Sequence, residues 1–127
     1  MRVLVLIAAV AAVLVLAIIL LPENAQRTVG PITTREMFEE LVVDRPIAGG
    51  EDWIDIIVRS DRTFSGIRSD GLKVNGLWYF ERGNFCREPI IEGKSLGWDC
   101  QIVSVNGDEI TFIRKGGKGK KVKYSFK

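Results

Sequence analysis

From Trp53 to Phe126 the chain alternates apolar and polar side chains in short runs, with turn-forming pairs between them. A period of two puts successive side chains on opposite faces of an extended strand, so each run reads as a half-buried β-strand. Seven strands are predicted: Trp53–Val58, Thr63–Arg68, Leu72–Phe80, Asn84–Glu88, Trp98–Val105, Glu109–Arg114 and Lys121–Phe126. Ser60-Asp61, Asp70-Gly71, Arg82-Gly83 and Asn106-Gly107 separate them, and Asn-Gly is the strongest hairpin signal of the four. Residues 115–120 (KGGKGK) form the last loop. Connections this short force neighbouring strands to run antiparallel. Such a sheet must curl and close, or fold into two layers, to cover its apolar face and its edges.

One helix precedes the strands. Thr33-Thr34-Arg35-Glu36 has the form of a capping box, in which a threonine oxygen accepts from free amides and the glutamate reaches back. Met37, Phe38, Leu41 and Val42 follow at one-face helical spacing, which predicts a helix over 34–43 that stops before Arg45-Pro46. Residues 44–52 read as a loop. The fold class is therefore mainly β: a short N-terminal helix and a meander of seven antiparallel strands, forming a small barrel or flattened sandwich with the helix plugging one end.

Upstream lies VLVLIAAVAAVLVLAIILL, residues 3–21, an apolar run of 19 residues flanked by Arg2 and by Pro22-Glu23. A cleavable signal has an apolar stretch of about 7–15 residues, whereas a bilayer span needs about 20. The run is long for the first and just adequate for the second. Cleavage after Ala25 would put Glu23 where a small residue is wanted, so the balance tips slightly toward an uncleaved anchor. The expected organisation is a signal peptide or signal anchor over 1–25, a polar linker over 26–32 and a small β domain over 33–127. The expected location is the periplasm, free or tethered to the inner membrane with the domain outside.

Export fits the cysteines. Cys86 and Cys100 are an even pair behind an export signal, which reads as a structural disulfide. A redox or nucleophilic role lacks a CxxC spacing and a histidine to activate the thiol. The chain has no histidine at all, which removes the usual general base and the commonest metal ligand. No cofactor or metal site is expected. The Lys-rich stretch does not fit a phosphate-binding loop, which needs two glycines bracketing four residues followed by Lys and Ser or Thr.

Charge is unevenly spread. Residues 114–127 hold Arg114 and six lysines with no acid, while residues 26–113 hold 10 basic and 15 acidic residues. A basic hairpin at the end of an acidic body is expected to resist edge aggregation or to meet an anionic lipid, a cell-wall polymer or an acidic partner. Nucleic acid is not an expected partner outside the cytoplasm. Trp78, in the step Gly76-x-Trp78, reads as a core aromatic, with ligand stacking as its rival. With Trp98, Arg87, Lys115, Lys118, Lys120 and Lys121 it makes up the candidate ligand or partner surface. Glu88 and Asp99 flank the cysteines and are the one carboxylate pair worth testing for acid–base work, against the simpler reading of surface ion pairs.

The order of several short patterns resembles a group of small exported alphaproteobacterial proteins. These are Phe38; Asp61/Phe64/Gly66; Gly76/Trp78; Phe85-Cys86-Arg87; Leu96-Gly97-Trp98-Asp99-Cys100-Gln101; Gly107-Asp108; and Gly116 to Gly119. The resemblance covers residues 33–126. Some members carry the label dihydrodipicolinate reductase, but this sequence has neither the Gly-x-Gly-x-x-Gly after a strand nor the βαβ alternation that such an enzyme needs. Gly-x-Trp is also a pattern of lipocalin and avidin barrels, and single-disulfide barrels of this look resemble bacterial protease and lysozyme inhibitors. The expected function is a non-enzymatic binding or structural module of the envelope that meets an envelope protein or small ligand. An inhibitor of an exported protease or lysozyme is the first alternative, and a carboxylate-based hydrolase the second.

Overall fold

A computed structural model describes residues 28–127. The apolar segment over 3–21 and its junction at Ala25 lie outside the described residues. Among the described residues no helix is long and apolar enough to cross a membrane.

The elements run β1 (Thr28–Pro31), α1 (Arg35–Leu41), β2 (Ile47–Ala48), β3 (Trp53–Val58), β4 (Thr63–Arg68), β5 (Lys73–Glu81), β6 (Asn84–Ile91), β7 (Lys94–Ser95), β8 (Asp99–Asn106), β9 (Glu109–Ile113), α2 (Arg114–Gly117) and β10 (Lys121–Phe126). All strand pairings are antiparallel. Strands β2 to β6 with β8, β9 and β10 close into an eight-stranded barrel. Closure is achieved at a short seam between β6 and β8: Phe85↔Gln101, Cys86↔Cys100 and Arg87↔Asp99. The middle pair is a disulfide. The barrel meander expected from the period-two runs is thus the fold.

Three short strands come from segments that read as linker or loop. Ile47–Ala48 forms β2, which joins β10 to β3 and so completes the barrel wall. Thr28–Pro31, expected as linker, forms β1 on the half of β8 that β6 leaves free. Ile32 follows it into the core at 1% exposure. β6 continues past Glu88 to Ile91 and turns at Glu92-Gly93 into β7. Pro89 lacks an N–H and weakens a strand reading. It is tolerated because β6 has left β8 at that point and meets only the short β7 on that side.

The helix plugs one end, as expected, but its cap sits one residue later. Thr34 is the N-cap and accepts from the Met37 amide at 3.2 Å. Met37 therefore occupies the position that Glu36 would need for the reciprocal half of a capping box. Phe38 is fully buried, and its ring lies 5.2 Å from Trp78, 5.1 Å from Phe80 and 4.9 Å from Phe85. Trp78 closes the same end, and its indole N–H donates to the Arg59 carbonyl at 2.8 Å.

Inward positions of β5 alternate strictly, with Val74, Trp78 and Phe80 buried and Gly76 among them. Gly76 gives Phe64 its place: a Cβ there would sit 2.4 Å from the Phe64 ring and 2.2 Å from the Glu88 carbonyl oxygen. Gly66 does the same under Trp53, whose ring would lie 2.8 Å from an added Cβ. An eight-stranded barrel has an interior just wide enough for side chains to fill, and here aromatic rings resting on glycines fill it. Both ends of the described chain reach the helix-plugged end. Thr28 pairs with Asn106, and the Phe126 amide donates to the Asp108 carbonyl, on either side of one β8–β9 turn.

Candidate functional site

The opposite end of the barrel is open. A cleft of about 490 Å3 lies there, lined by the strand ends of β3, β4, β6 and β8, the β7–β8 connection and the α2 turn. Beneath it, among the described residues, lies an interior cavity of about 20 Å3, room for about one water. The barrel interior is therefore packed, and open space is concentrated at the mouth.

Arg87 reaches this mouth because it is two residues from Phe85 on β6, and alternation keeps both on the inner face. Its guanidinium carbon stands 5.1 Å from the Trp53 ring centre and 6.0 Å from that of Phe64. Burial pushes its pKa below the ordinary arginine value, and the positive charge of Arg114 adds to the effect. A guanidinium stays charged in proteins regardless. Tyr124 lines the cavity below. Burial, helped by the Asp52 carboxylate, pushes its phenol up to about 12. It is a neutral hydroxyl at any physiological pH.

The carboxylates of the mouth are engaged elsewhere. Asp52 accepts from Arg114 at 2.7 Å and from Lys120 at 3.0 Å. Asp70 pairs with Arg68 and accepts from the Leu72 amide. Asp99, the register partner of Arg87, accepts from the Gln101 amide group at 3.0 Å and from the backbone N–H of Lys115 at 3.1 Å. Each of the other cations lining the cleft thus has a carboxylate. Arg87 makes no ion pair and no side-chain hydrogen bond with any described residue.

The basic turn is folded over the rim. Lys115 and Gly116 both take the left-handed conformation (φ 53° and 62°), which aims the Lys115 amide at Asp99. An L-residue rarely adopts that region, and the Asp99 hydrogen bond helps hold it there. Lys120 is tied to Asp52 and Glu51, Lys123 to Glu109 and Lys127 to Asp55. Half of the six lysines counted in this stretch are thus neutralised within the domain.

The expected surface residues separate into three places. Arg87 and Lys120 meet at the mouth, with Lys115 reaching it through its backbone. Trp78 is buried at the plugged end. Trp98 is 48% exposed on the outer face, where it packs against Tyr79 at 5.1 Å. Lys118 and Lys121 are exposed, the latter on the outward side of β10. Cys86 and Cys100 are joined, as the paired cysteines implied. Glu88 pairs with Leu77 on the outer face, whereas Asp99 faces inward opposite Arg87. The two carboxylates lie on opposite sides of the sheet, so the approach expected of them does not occur.

Sequence reasoning missed Asp52, Trp53 and Arg68 as parts of the mouth. Arg114 and Asp52 are 62 positions apart, and only barrel closure brings them together. A usable signal was present in Arg68-Ser69-Asp70-Gly71, where an arginine and an aspartate bracket a tight turn. Comparison with protein-family models, with curated proteins and with solved structures returns no match.

Proposed function

We propose that this chain is a non-enzymatic binding module of the bacterial envelope, and that its recognition face is the open mouth of the barrel. The observation that carries this reading is Arg87, a half-buried cation that makes no ion pair with a described residue, at the floor of an open cleft beside Trp53. Even partial burial of a guanidinium without an ion pair costs free energy, and its position over an indole face offsets only part of that cost. A packed interior argues against a ligand carried inside the barrel, as in larger ligand carriers. The disulfide and the apolar run at 3–21 support an oxidising compartment outside the inner membrane.

The test is an amide chemical-shift map of the full chain titrated with fractionated envelope extract. Shifts concentrated at Arg87, Leu96 and Arg114 support the reading. Shifts confined to the plugged end or to the outer face around Trp98 overturn it.

A second reading is inhibition of an exported hydrolase. It is favoured by Leu96, 60% exposed at the rim of the mouth, and by Trp98 close behind it. Exposed apolar and aromatic side chains on a rigid rim are the kind of anchor that interfaces use. Assays against secreted proteases and lysozymes test it: inhibition at micromolar concentration that is lost in Leu96→Ala supports it, and no inhibition removes it.

A further inference from the structure

We propose that the mouth binds a small carboxylic acid with an apolar body, its carboxylate gripped by Arg87 and its body lying between Trp53 and Leu96. The proposal rests on the reading of the mouth as the recognition face and adds the chemical class of the ligand.

Charge sets the class. The cleft is lined by Arg68, Arg87, Arg114 and Lys120 against Asp52, Asp70 and Asp99. The lining thus carries four cations against three carboxylates; Arg68 holds Asp70, Arg114 and Lys120 share Asp52, and Arg87 is the lining cation that makes no ion pair with a described residue. A single negative charge completes this arrangement. A dianion such as phosphate would bring a second charge into a cleft that already holds Asp52 and Asp99, and like charges in a half-buried site repel strongly. The planar fork of a guanidinium matches the two oxygens of one carboxylate.

Shape and polarity set the rest. The cleft volume of about 490 Å3 lies within the range of small-molecule sites, which run from about 300 to 1,000 Å3. The exposed side chain of Leu96 at the rim offers apolar surface on the way to the charge, and Trp53, buried beneath Arg87, closes the floor. Pro89, on the same strand as Arg87, has no N–H and adds apolar surface without a competing donor. The arrangement suits an anion attached to a ring or a short hydrocarbon.

The full chain is titrated with 3-phenylpropionate, with its neutral amide and with inorganic phosphate, following heat by calorimetry and tryptophan emission. The expected result is saturable binding of the acid, with the amide weaker by roughly tenfold or more, since a charge-assisted pair contributes on the order of one such factor. Phosphate is expected not to compete. Arg87→Gln is expected to abolish the preference for acid over amide, and near-UV circular dichroism checks that the variant is folded. Leu77→Ala, on the outer face of β5, is expected to leave both binding and the emission change intact.

Equal affinity for acid and amide in the unmodified chain overturns the proposal without any variant. So does effective competition by phosphate, and so does a lack of binding by all three probes. These outcomes leave the mouth in place as the recognition face, because that reading falls only if envelope components map elsewhere on the barrel.

Discussion

Arg87 and Asp99 are register partners across the seam that closes the barrel, yet they do not pair. The Asp99 carboxylate is spent on the Lys115 amide and on Gln101, so the tie that holds the basic turn over the rim is the same one that leaves Arg87 unmatched. Asp99→Ala is expected to free the Lys115 amide and loosen α2. The stability cost is about 0.5–1.5 kcal/mol for a lost hydrogen bond at a partly exposed site. Hydrogen exchange at the amides of residues 115–117 measures it: faster exchange there, with little change in β5, is the expected pattern.

The seam itself is three residue pairs long, and its centre is covalent. Cys86 and Cys100 are 14 positions apart, and closing a loop of that size is worth about 3 kcal/mol in the chain-entropy treatment. The double variant Cys86→Ser, Cys100→Ser is expected to lose about that much in urea unfolding. Protection of the Arg87 and Asp99 amides should fall before that of the β3–β4 hairpin.

Gly76→Ala tests the packing of the interior. An added methyl would lie 2.2 Å from the Glu88 carbonyl oxygen and 2.4 Å from the Phe64 ring, one of them backbone that cannot yield cheaply. Overpacking of this kind costs about 1–3 kcal/mol, and thermal unfolding measures the drop. Alanine at Gly93, where no atom lies within 4 Å, crowds nothing and is penalised only by its left-handed backbone (φ 78°).

Two turn carboxylates set an acid limit. The Thr63 hydroxyl and amide hold the Asp61 carboxyl below its ordinary value of 3.8. Arg68, with the Leu72 amide, does the same for Asp70. A carboxyl depressed in the native state binds fewer protons there than in the unfolded chain, so it stabilises above the unfolded value and loses that contribution as pH falls through the folded one. The melting temperature is therefore expected to fall as pH drops through 3.8 and below, and less steeply in Asp61→Asn, Asp70→Asn. Melting curves across that window show the difference.

The parts of this fold that were legible are those with local causes. The strand Lys73–Glu81 announces itself because every second side chain is buried. Arg82-Gly83 announces its turn through Gly83, which takes a positive φ without strain, and Arg82 is carried into the same region beside it. Ile47–Ala48 and Thr28–Pro31 gave no such sign: two and four residues are too few for a period, and what makes them strands is the vacant edge of β10 or β8 beside them. The mouth was half legible. Arg87 stood out beside a cysteine, and the lysines stood out as a run. Their separation into tied and free was not readable, because Lys120 finds Asp52 only across the closed barrel, 68 positions away.

Thr28 and Phe126 flank the same β8–β9 turn, at the end of the barrel away from the mouth. The described domain can therefore be held at Thr28 or at Phe126 without touching the cleft. Attached to a bead or a lipid at that end, every copy presents its mouth outward. A few residues joining Lys127 to Thr28 would make a circular permutant, with new ends cut at Glu92-Gly93 on the overhanging β6–β7 hairpin. Such a permutant would place the cut beside the mouth and leave the β6–β7 hairpin as two free arms.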